Sequence, residues 1–408
     1  MTADLVETAV PTAKSEPPVR GTFMPFCVPD VGEAEINEVV DTLRSGWITT
    51  GPKTKEFERR FADYIGVRHA IAVSSCTHGL LVALAVAGIG PGDEVIVPTM
   101  TFCSTANVVV HLGATPVIVD VEPDTLGISP QAIDRAITSH TRAVIPVHLY
   151  GHPCDLDAIG EIARTHQLAL IEDAAHAVGA KWRGRRIGTF GKATVFSFYA
   201  IKNLTTAEGG MITTDDDAYA ERMRIYALHG ISRDAWKRYS SEGSWYYEVV
   251  VPGYKCNMTD IQSALGLHQL ARLEAMTQRR AEIAARYDRG LGNLAELQLP
   301  ARRPGIRHAW HLYPIRLQLD KLTIDRAAFI EQLRAEGIGT SVHFIPLHRQ
   351  PYYRDRFGFQ PVDFPVADAA YQGLISLPLY TRMSDQDVDD VIEAVRRVVR
   401  RNRGRHHP

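Results

Sequence analysis

The run Thr194-Val195-Phe196-Ser197-Phe198-Tyr199-Ala200-Ile201-Lys202-Asn203 continues as Leu204-Thr205-Thr206-Ala207-Glu208-Gly209-Gly210-Met211. An apolar, β-prone stretch ends in a loop that carries one lysine and leads, through small and polar residues, to a Gly-Gly pair. A charge directly after a buried strand is out of place. Burial and confinement lower an ammonium pKa and free the amine to attack a carbonyl. Most lysines are solvated, so a surface lysine at a strand end is the competing reading. The surrounding sequence has to separate the two.

Outward from this run, short apolar stretches alternate with helical ones. The apolar runs cover 70–73, 94–97, 115–119, 143–147, 168–171, 193–197 and 211–213. Helical spacing lies between most of them, as at 77–87 and 156–166. Continuous apolar strands alternating with helices predict an α/β fold, with a mostly parallel sheet covered on both faces. Ahead of the sheet, Ile36, Val39, Val40 and Leu43 make one helical face, and Gly46-Trp47-Ile48-Thr49-Thr50-Gly51-Pro52 breaks it. A second helix carries Phe57, Phe61 and Ile65. A long helix is expected over 258–290, leading to the segment 310–317 and to helices over 325–336 and 385–400.

The 408 residues exceed one simple core. The reading is a flexible N-terminal arm (1–22), a large domain (23–290), a small C-terminal α/β domain (291–400) and a basic tail (401–408). A net charge of −2 gives no electrostatic case for nucleic acid or an anionic membrane. Cys27, Cys76, Cys103, Cys154 and Cys256 are scattered and lack C-x-x-C spacing, which argues against a zinc site or a disulfide framework. With no signal-peptide pattern and no transmembrane stretch, a cytoplasmic location and no metal are expected.

Ligands of open parallel sheets collect beyond the carboxyl ends of the strands. Four such ends carry chemistry. At Val73-Ser74-Ser75-Cys76-Thr77-His78 a strand turns into a helix, and free N–H groups with hydroxyls there suit a phosphate; plain N-capping by Ser75 or Thr77 is the alternative. Phe102 follows the run 94–97 and either stacks on a flat ring or packs in the core. Asp173, in Leu170-Ile171-Glu172-Asp173-Ala174-Ala175-His176, is a carboxylate that needs a partner, such as a pyridine nitrogen, or is a helix cap. His176 reaches a ring oxygen, orients Asp173, or is a core histidine. Ser197 precedes Lys202 by five residues and offers a hydroxyl to phosphate. A phosphate site, a ring-stacking group, a ring-nitrogen acid and an amine in this order are the parts of a pyridoxal-phosphate site.

The chain resembles the DegT/DnrJ/EryC1/StrS family of pyridoxal-phosphate sugar aminotransferases, of the fold type I aspartate-aminotransferase superfamily. The matching runs include Ser75-Cys76-Thr77, Pro91-Gly92-Asp93-Glu94-Val95, Pro146-Val147-His148-Leu149-Tyr150-Gly151, Glu172-Asp173-Ala174-Ala175-His176 and Glu208-Gly209-Gly210-Met211. Gly253-Tyr254-Lys255-Cys256-Asn257-Met258 and Val342-His343-Phe344-Ile345-Pro346-Leu347-His348 also fit. The resemblance implies a seven-stranded sheet and a homodimer with active sites at the subunit interface. It implies that Lys202 holds the cofactor covalently and moves the proton, Asp173 pairs with the ring nitrogen, Phe102 stacks, and Cys76, Thr77 and Ser197 bind phosphate. His176 stands where the family has Gln or His. Asn257, with Lys255 as second candidate, is implied to reach the neighbouring subunit's phosphate. Cys256 replaces a common aromatic, Cys76 a common small residue, and His78-Gly79 a common Ala-Ala.

On the substrate side, Trp47, Thr49, Arg233, His311, Tyr313 and His343 resemble positions near the active site, each with a structural or solvated role as the alternative. The stretch 235–251, with Trp236, Trp245, Tyr246 and Tyr247, either shapes a sugar-nucleotide pocket or packs at the dimer interface. Some relatives carry His at the lysine position and dehydrate sugars, so Lys202 implies the transaminating branch. The implied reaction moves an amino group from L-glutamate, or L-glutamine, to a keto carbon of a dTDP- or UDP-linked 4-keto-6-deoxyhexose. A keto-cyclitol or other small ketone is the second reading, and a non-catalytic regulatory or binding protein the third. A nicotinamide-dependent dehydrogenase is disfavoured, because no G-x-G-x-x-G follows the first strand.

Overall fold

The computed structural model describes residues 16–232 and 246–404. The central sheet has seven strands: β1 (His69–Val73), β2 (Glu94–Pro98), β3 (Thr115–Val119), β4 (Thr141–Val144), β5 (Ala169–Asp173), β8 (Ala193–Ser197) and β9 (Gly210–Thr214). Their order is β1-β9-β8-β5-β4-β2-β3. From β8 to β3 every pairing is parallel, and β9 alone is reversed between β1 and β8. Strands covered on both faces are near-continuous in apolar residues, and β8 and β9 are buried at every position with hydroxyls as their only polar side chains.

Helices α1 (Glu33–Ser45) and α2 (Pro52–Ile65) precede the sheet, and α3 (Cys76–Val86), α4 (Ser104–His111), α5 (Pro130–Ala136) and α6 (Leu156–Thr165) connect its parallel strands. After β9 come α7 (Asp217–Tyr226) and α8 (Asp260–Leu291). Two three-stranded sheets complete the strands. One pairs β6 (Lys181–Trp182) with β7 (Arg185–Arg186) and β11 (Ile306–Arg307); the other joins β10 (Leu297–Gln298), β12 (Tyr313–Leu317) and β13 (Leu374–Leu377). The C-terminal helices are α9 (Arg326–Ala335), α10 (Pro351–Phe357), α11 (Pro365–Gly373) and α12 (Asp385–Asn402).

Three boundaries differ from expectation for reasons of hydrogen bonding. β5 runs on through Glu172 and Asp173, because the Asp173 N–H donates to the Pro146 carbonyl (2.9 Å) and its carbonyl accepts from the His148 N–H (3.0 Å). α8 starts at Asp260 because Thr259 and Gln262 cap it reciprocally. β12 starts at Tyr313, since Ala309 and His311 donate instead to the carbonyls of Gly151 and Tyr150, each at 2.9 Å.

A second apolar core joins the C-terminal half of α8 to β12, β13, α9 and α12 through Tyr287, Tyr313, Phe329 and Val395. Residues 16–22, expected to belong to a free arm, are tied to this core instead. The Val19 N–H donates to Glu336 (2.9 Å), Arg20 pairs with Asp387 (2.7 Å) and Asp390 (2.6 Å), and Met24 is buried beside Ile338. At the other end Arg401 pairs with Glu336 and Arg403 with Glu296, so these two basic tail residues are ion-paired. Arg280 of α8 is buried and donates to the backbone carbonyls of Trp310 (3.3 Å), His311 (3.3 Å) and Leu379 (2.9 Å), bolting the helix to the segment that carries His311.

Candidate active site

The sheet order places Gly210 of β9 opposite both Val73 of β1 and Ser197 of β8. The Ser74–Cys76 turn and Ser197 therefore meet across one glycine. A Cβ at Gly210 would lie 2.7 Å from the Cys76 nitrogen, so only glycine permits this approach. Ser75 caps α3, its hydroxyl accepting from the His78 N–H (3.1 Å). Capping by Ser75 leaves Cys76 and Thr77 in the first turn, where N–H groups have no intrahelical acceptor. These N–H groups and the Ser197 hydroxyl form a cradle with phosphate-binding character.

One strand further, Asp173 ends β5 and is buried. Its Oδ2 accepts from the Thr105 hydroxyl (2.8 Å) and its Oδ1 from the Ala175 N–H (3.1 Å). Burial raises its pKa; these two hydrogen bonds and the charges of Lys202 and His148 pull it down. The Cys76 thiol lies 3.8 Å from Asp173, and burial beside that carboxylate keeps it protonated. Behind the strand, Glu172 accepts from Gly191 (2.7 Å), Thr194 (2.7 Å) and His148 Nε2 (2.8 Å), which holds the end of β5 in place.

Lys202 sits at the turn after β8, its N–H donating to the Tyr199 carbonyl (2.9 Å). Burial lowers its amine to about 8, against the attraction of Cys76 and Asp173. Burial depresses the pKa of His176, His311 and His343, and the charge of the same lysine depresses each of them further. An amine, a buried carboxylate and three neutral imidazoles thus share one space.

The tautomers of two imidazoles follow from their partners. His176 Nδ1 accepts the Tyr150 N–H (3.2 Å), so its proton is on Nε2. Asn203 donates to the Ala309 carbonyl (2.7 Å), which turns its Oδ1 to accept from His311 Nδ1 at 3.0 Å. The two rings lie 4.3 Å apart. The expectation that His176 orients Asp173 is not met: Thr105 and Ala175 do so. Phe102 is 57% exposed at the end of β2, not packed in the core, and Phe344 lies between it and His176 at 5.8 Å and 5.9 Å. His343 Nδ1 bonds the Ser376 hydroxyl (3.0 Å).

Trp47 and Thr49 are exposed on the loop before α2, with no contact to the lysine cluster among the described residues. That loop joins the 255–257 segment, where Asn257 Nδ2 donates to the Thr50 hydroxyl (2.5 Å) and the Lys255 amine bonds Asn257 Oδ1. Asn257 also bridges Val73, and Cys256 accepts from the Ser74 N–H (2.7 Å), which sets both beside the phosphate-type cradle of their own chain. Tyr313 does not belong to the site. It is fully buried in the second core, packed on Tyr287 (4.9 Å) and hydrogen-bonded to Asp288 (2.6 Å), because its position in β12 faces α8. Tyr313→Phe is expected to cost about 1.5 kcal/mol of stability, from the lost bond to a carboxylate, and to leave substrate KM unchanged. Denaturant midpoints and steady-state kinetics check both; a raised KM would restore Tyr313 to the site. Arg233, Trp236 and Trp245 lie outside the described residues.

Thr105, Tyr150, Asn203 and Phe344 were not singled out from sequence. Asn203 adjoins the lysine, and Tyr150 and Phe344 fall inside family-like runs, so position was their only signal. Among the described residues no group of three His, Cys, Asp or Glu side chains is arranged to hold a metal ion.

The residues present fit pyridoxal phosphate. The glycine-lined cradle suits its phosphate, the exposed Phe102 ring its face, and a buried carboxylate with burial-raised pKa its cationic ring nitrogen. The DegT/DnrJ/EryC1/StrS aminotransferase family model matches residues 29–396. The spore coat polysaccharide biosynthesis protein SpsC of Bacillus subtilis is 53% identical over 382 residues, covering 93% of this chain and 98% of that protein. Spr1654 from Streptococcus pneumoniae in its PLP-form superposes with a TM-score of 0.87 at 39% identity, over 93% of this chain and 99% of that one, and a PMP-form is equally similar. PseC of Helicobacter pylori, an aminotransferase involved in the biosynthesis of pseudoaminic acid, gives a TM-score of 0.86 at 28% identity, over 93% and 100%.

Proposed function

The chain belongs to the DegT/DnrJ/EryC1/StrS aminotransferase family, whose members work with pyridoxal phosphate, and from that premise we propose that it aminates the keto carbon of a nucleotide-linked keto-deoxysugar of the dTDP- or UDP-4-keto-6-deoxyhexose type, with L-glutamate as donor. The observation that carries the transaminase reading is the Lys202 amine, lowered to about 8 in a space shared with buried Asp173. A sugar acceptor is supported by SpsC, a polysaccharide biosynthesis protein more than half identical to this chain, and by PseC.

Bound at this site, pyridoxal phosphate supplies a ring that takes up the electron pair left when a proton departs from the amino-bearing carbon. Asp173 keeps the ring nitrogen protonated by staying ionised against it. Lys202 Nζ would attach the cofactor and then move the proton between the substrate carbon and the cofactor. His176 offers its Nε2–H to a ring oxygen, and Phe102 covers the ring face. Cys76, Thr77 and Ser197 hold phosphate. His343 and His311 face the incoming ketone, with Trp47, Thr49 and Arg233 further out.

The same reading makes the enzyme a homodimer with active sites at the subunit interface, although the 255–257 segment, expected to reach the neighbouring subunit's phosphate, lies beside the cradle of its own chain. Exposed Trp47, Ile48, Val249 and Val250 supply apolar surface for such a contact. No helix of the described residues is long and apolar enough to cross a membrane, and we propose a cytoplasmic location.

Attachment of the cofactor needs the unprotonated amine. With its pKa lowered from 10.5 to about 8, Lys202 in the apoprotein is expected to capture pyridoxal phosphate at a rate that climbs with pH and levels off above about 8. Stopped-flow absorbance from pH 6 to pH 10 reads this out; a rate still climbing at pH 10 contradicts a lowered pKa. The acceptor is identified by adding nucleotide keto-sugars and a keto-cyclitol to the amine-loaded enzyme and watching which restores the absorbance of the lysine-bound cofactor. Restoration by the keto-cyclitol alone would refute the sugar-nucleotide proposal.

A further inference from the structure

A second crevice lies where Asp124, Tyr150 and His152 of the large domain meet His308 and Arg316 of the small-domain side. Five buried side-chain polar atoms of the described residues lack a hydrogen-bond partner, and two of them, His152 Nε2 and Arg316 Nη2, belong to residues lining this one crevice. Native structures leave few such atoms unpaired, so two around one space point to an occupant.

What the occupant must offer follows from the two groups. His152 is 7% exposed, and its Nδ1 lies 2.8 Å from the Pro153 carbonyl. A carbonyl only accepts, so Nδ1 carries the proton and Nε2 presents a lone pair. Burial makes the ring neutral, with a pKa of about 4. Arg316 is a guanidinium and only donates. The acid on the wall, Asp124, is hydrogen-bonded to Arg303 at 3.1 Å and 2.7 Å, so Arg316 feels its charge at a distance but has no carboxylate in hydrogen-bonded contact among the described residues. His308 Nδ1 accepts from the Trp310 N–H (2.8 Å), so that ring keeps its proton on Nε2 as a further donor.

The occupant therefore donates a hydrogen bond to His152 Nε2 and offers an anionic oxygen to Arg316. We infer that this crevice binds a small oxyanion that retains an O–H, with inorganic phosphate as its representative. Phosphate near neutral pH carries both an acidic hydroxyl and charged oxygens. Sulfate presents only acceptors, so it satisfies Arg316 and sets a lone pair against that of His152. Tyr150 walls the crevice while its N–H holds His176 and its hydroxyl bonds the His343 carbonyl, so the occupant sits against the residue that positions two active-site histidines.

The test is titration calorimetry of the cofactor-loaded enzyme at pH 7 with inorganic phosphate and with sulfate, the active-site cradle being filled by the cofactor's own phosphate. Phosphate is expected to saturate one site per chain, about tenfold more tightly than sulfate, since a site built around a hydrogen bond rejects the analogue that lacks it. Arg316→Met should abolish binding of both anions, and His152→Leu should erase the preference between them. Equal affinity for the two anions in wild type, no saturable phosphate binding, or binding that survives Arg316→Met would each overturn the assignment. The wild-type comparison stands alone if a variant fails to fold. A high-resolution map of phosphate-soaked holoenzyme with a single water bridging His152 and Arg316 would also overturn it.

Discussion

Lys202→Ala is expected to lower kcat/KM by roughly 10³-fold or more, because the variant loses both the group that attaches the cofactor and the group that moves the proton. No neighbour can stand in. Burial, the largest cause in each case, keeps His176, His311 and His343 neutral with depressed basicity even without the lysine's charge. Cys76 is held protonated by burial beside Asp173. The cradle around Gly210 and the Asp173 carboxylate survive the substitution, so the variant should still retain cofactor through dialysis while losing the lysine-bound absorbance. Steady-state kinetics and a spectrum of the dialysed protein measure both. Activity within tenfold of wild type would remove Lys202 from the proposed mechanism.

Asp173→Asn is expected to lower kcat by roughly 10²–10⁴-fold, since removing one partner of a buried charge pair costs about 3–5 kcal/mol. Its effect on the apoprotein has the opposite sign. Burial raises the Asp173 pKa above 3.8, so keeping the group ionised in the folded apoprotein costs stability at pH values above the unfolded-state pKa. Asparagine removes that charge. Apoprotein should therefore be at least as stable as wild type at pH 7, while the holoprotein loses part of the stabilisation its cofactor confers. Thermal midpoints of both forms, with and without pyridoxal phosphate, separate the two. A carboxylate with only a structural role in capping the strand end would instead weaken apo and holo forms alike.

The strand runs were legible because a parallel strand buried on both faces is a block of consecutive apolar residues, as in β8. Lys202 and Asp173 stood out as charges at the ends of such blocks. The reversed direction of β9 was not legible: a Gly-Gly start and four apolar or threonine positions read the same whichever way the strand runs. Thr105 was invisible because a threonine opening a helix is ordinary; only the packing of α4 beside β5 turns its hydroxyl onto Asp173. Tyr313 erred the other way. Its place in a family-like region suggested substrate contact, whereas the pairing of β12 with β10 and β13 turns the ring onto α8.

By itself, then, the sequence determined the alternation of strands and helices, and the lysine and the aspartate at two strand ends. These depend on local composition and on residues whose chemistry admits few other uses. The tertiary structure decided which groups meet. Residues 16–24 are strapped to α9 and α12, Tyr150 holds His176, Asn203 sets the His311 tautomer, and two unpaired atoms line a crevice away from the lysine. Each of these joins residues far apart in the chain. A hydrogen bond of that kind depends on the direction of two side chains in space, which strand order and helix packing fix and linear spacing does not.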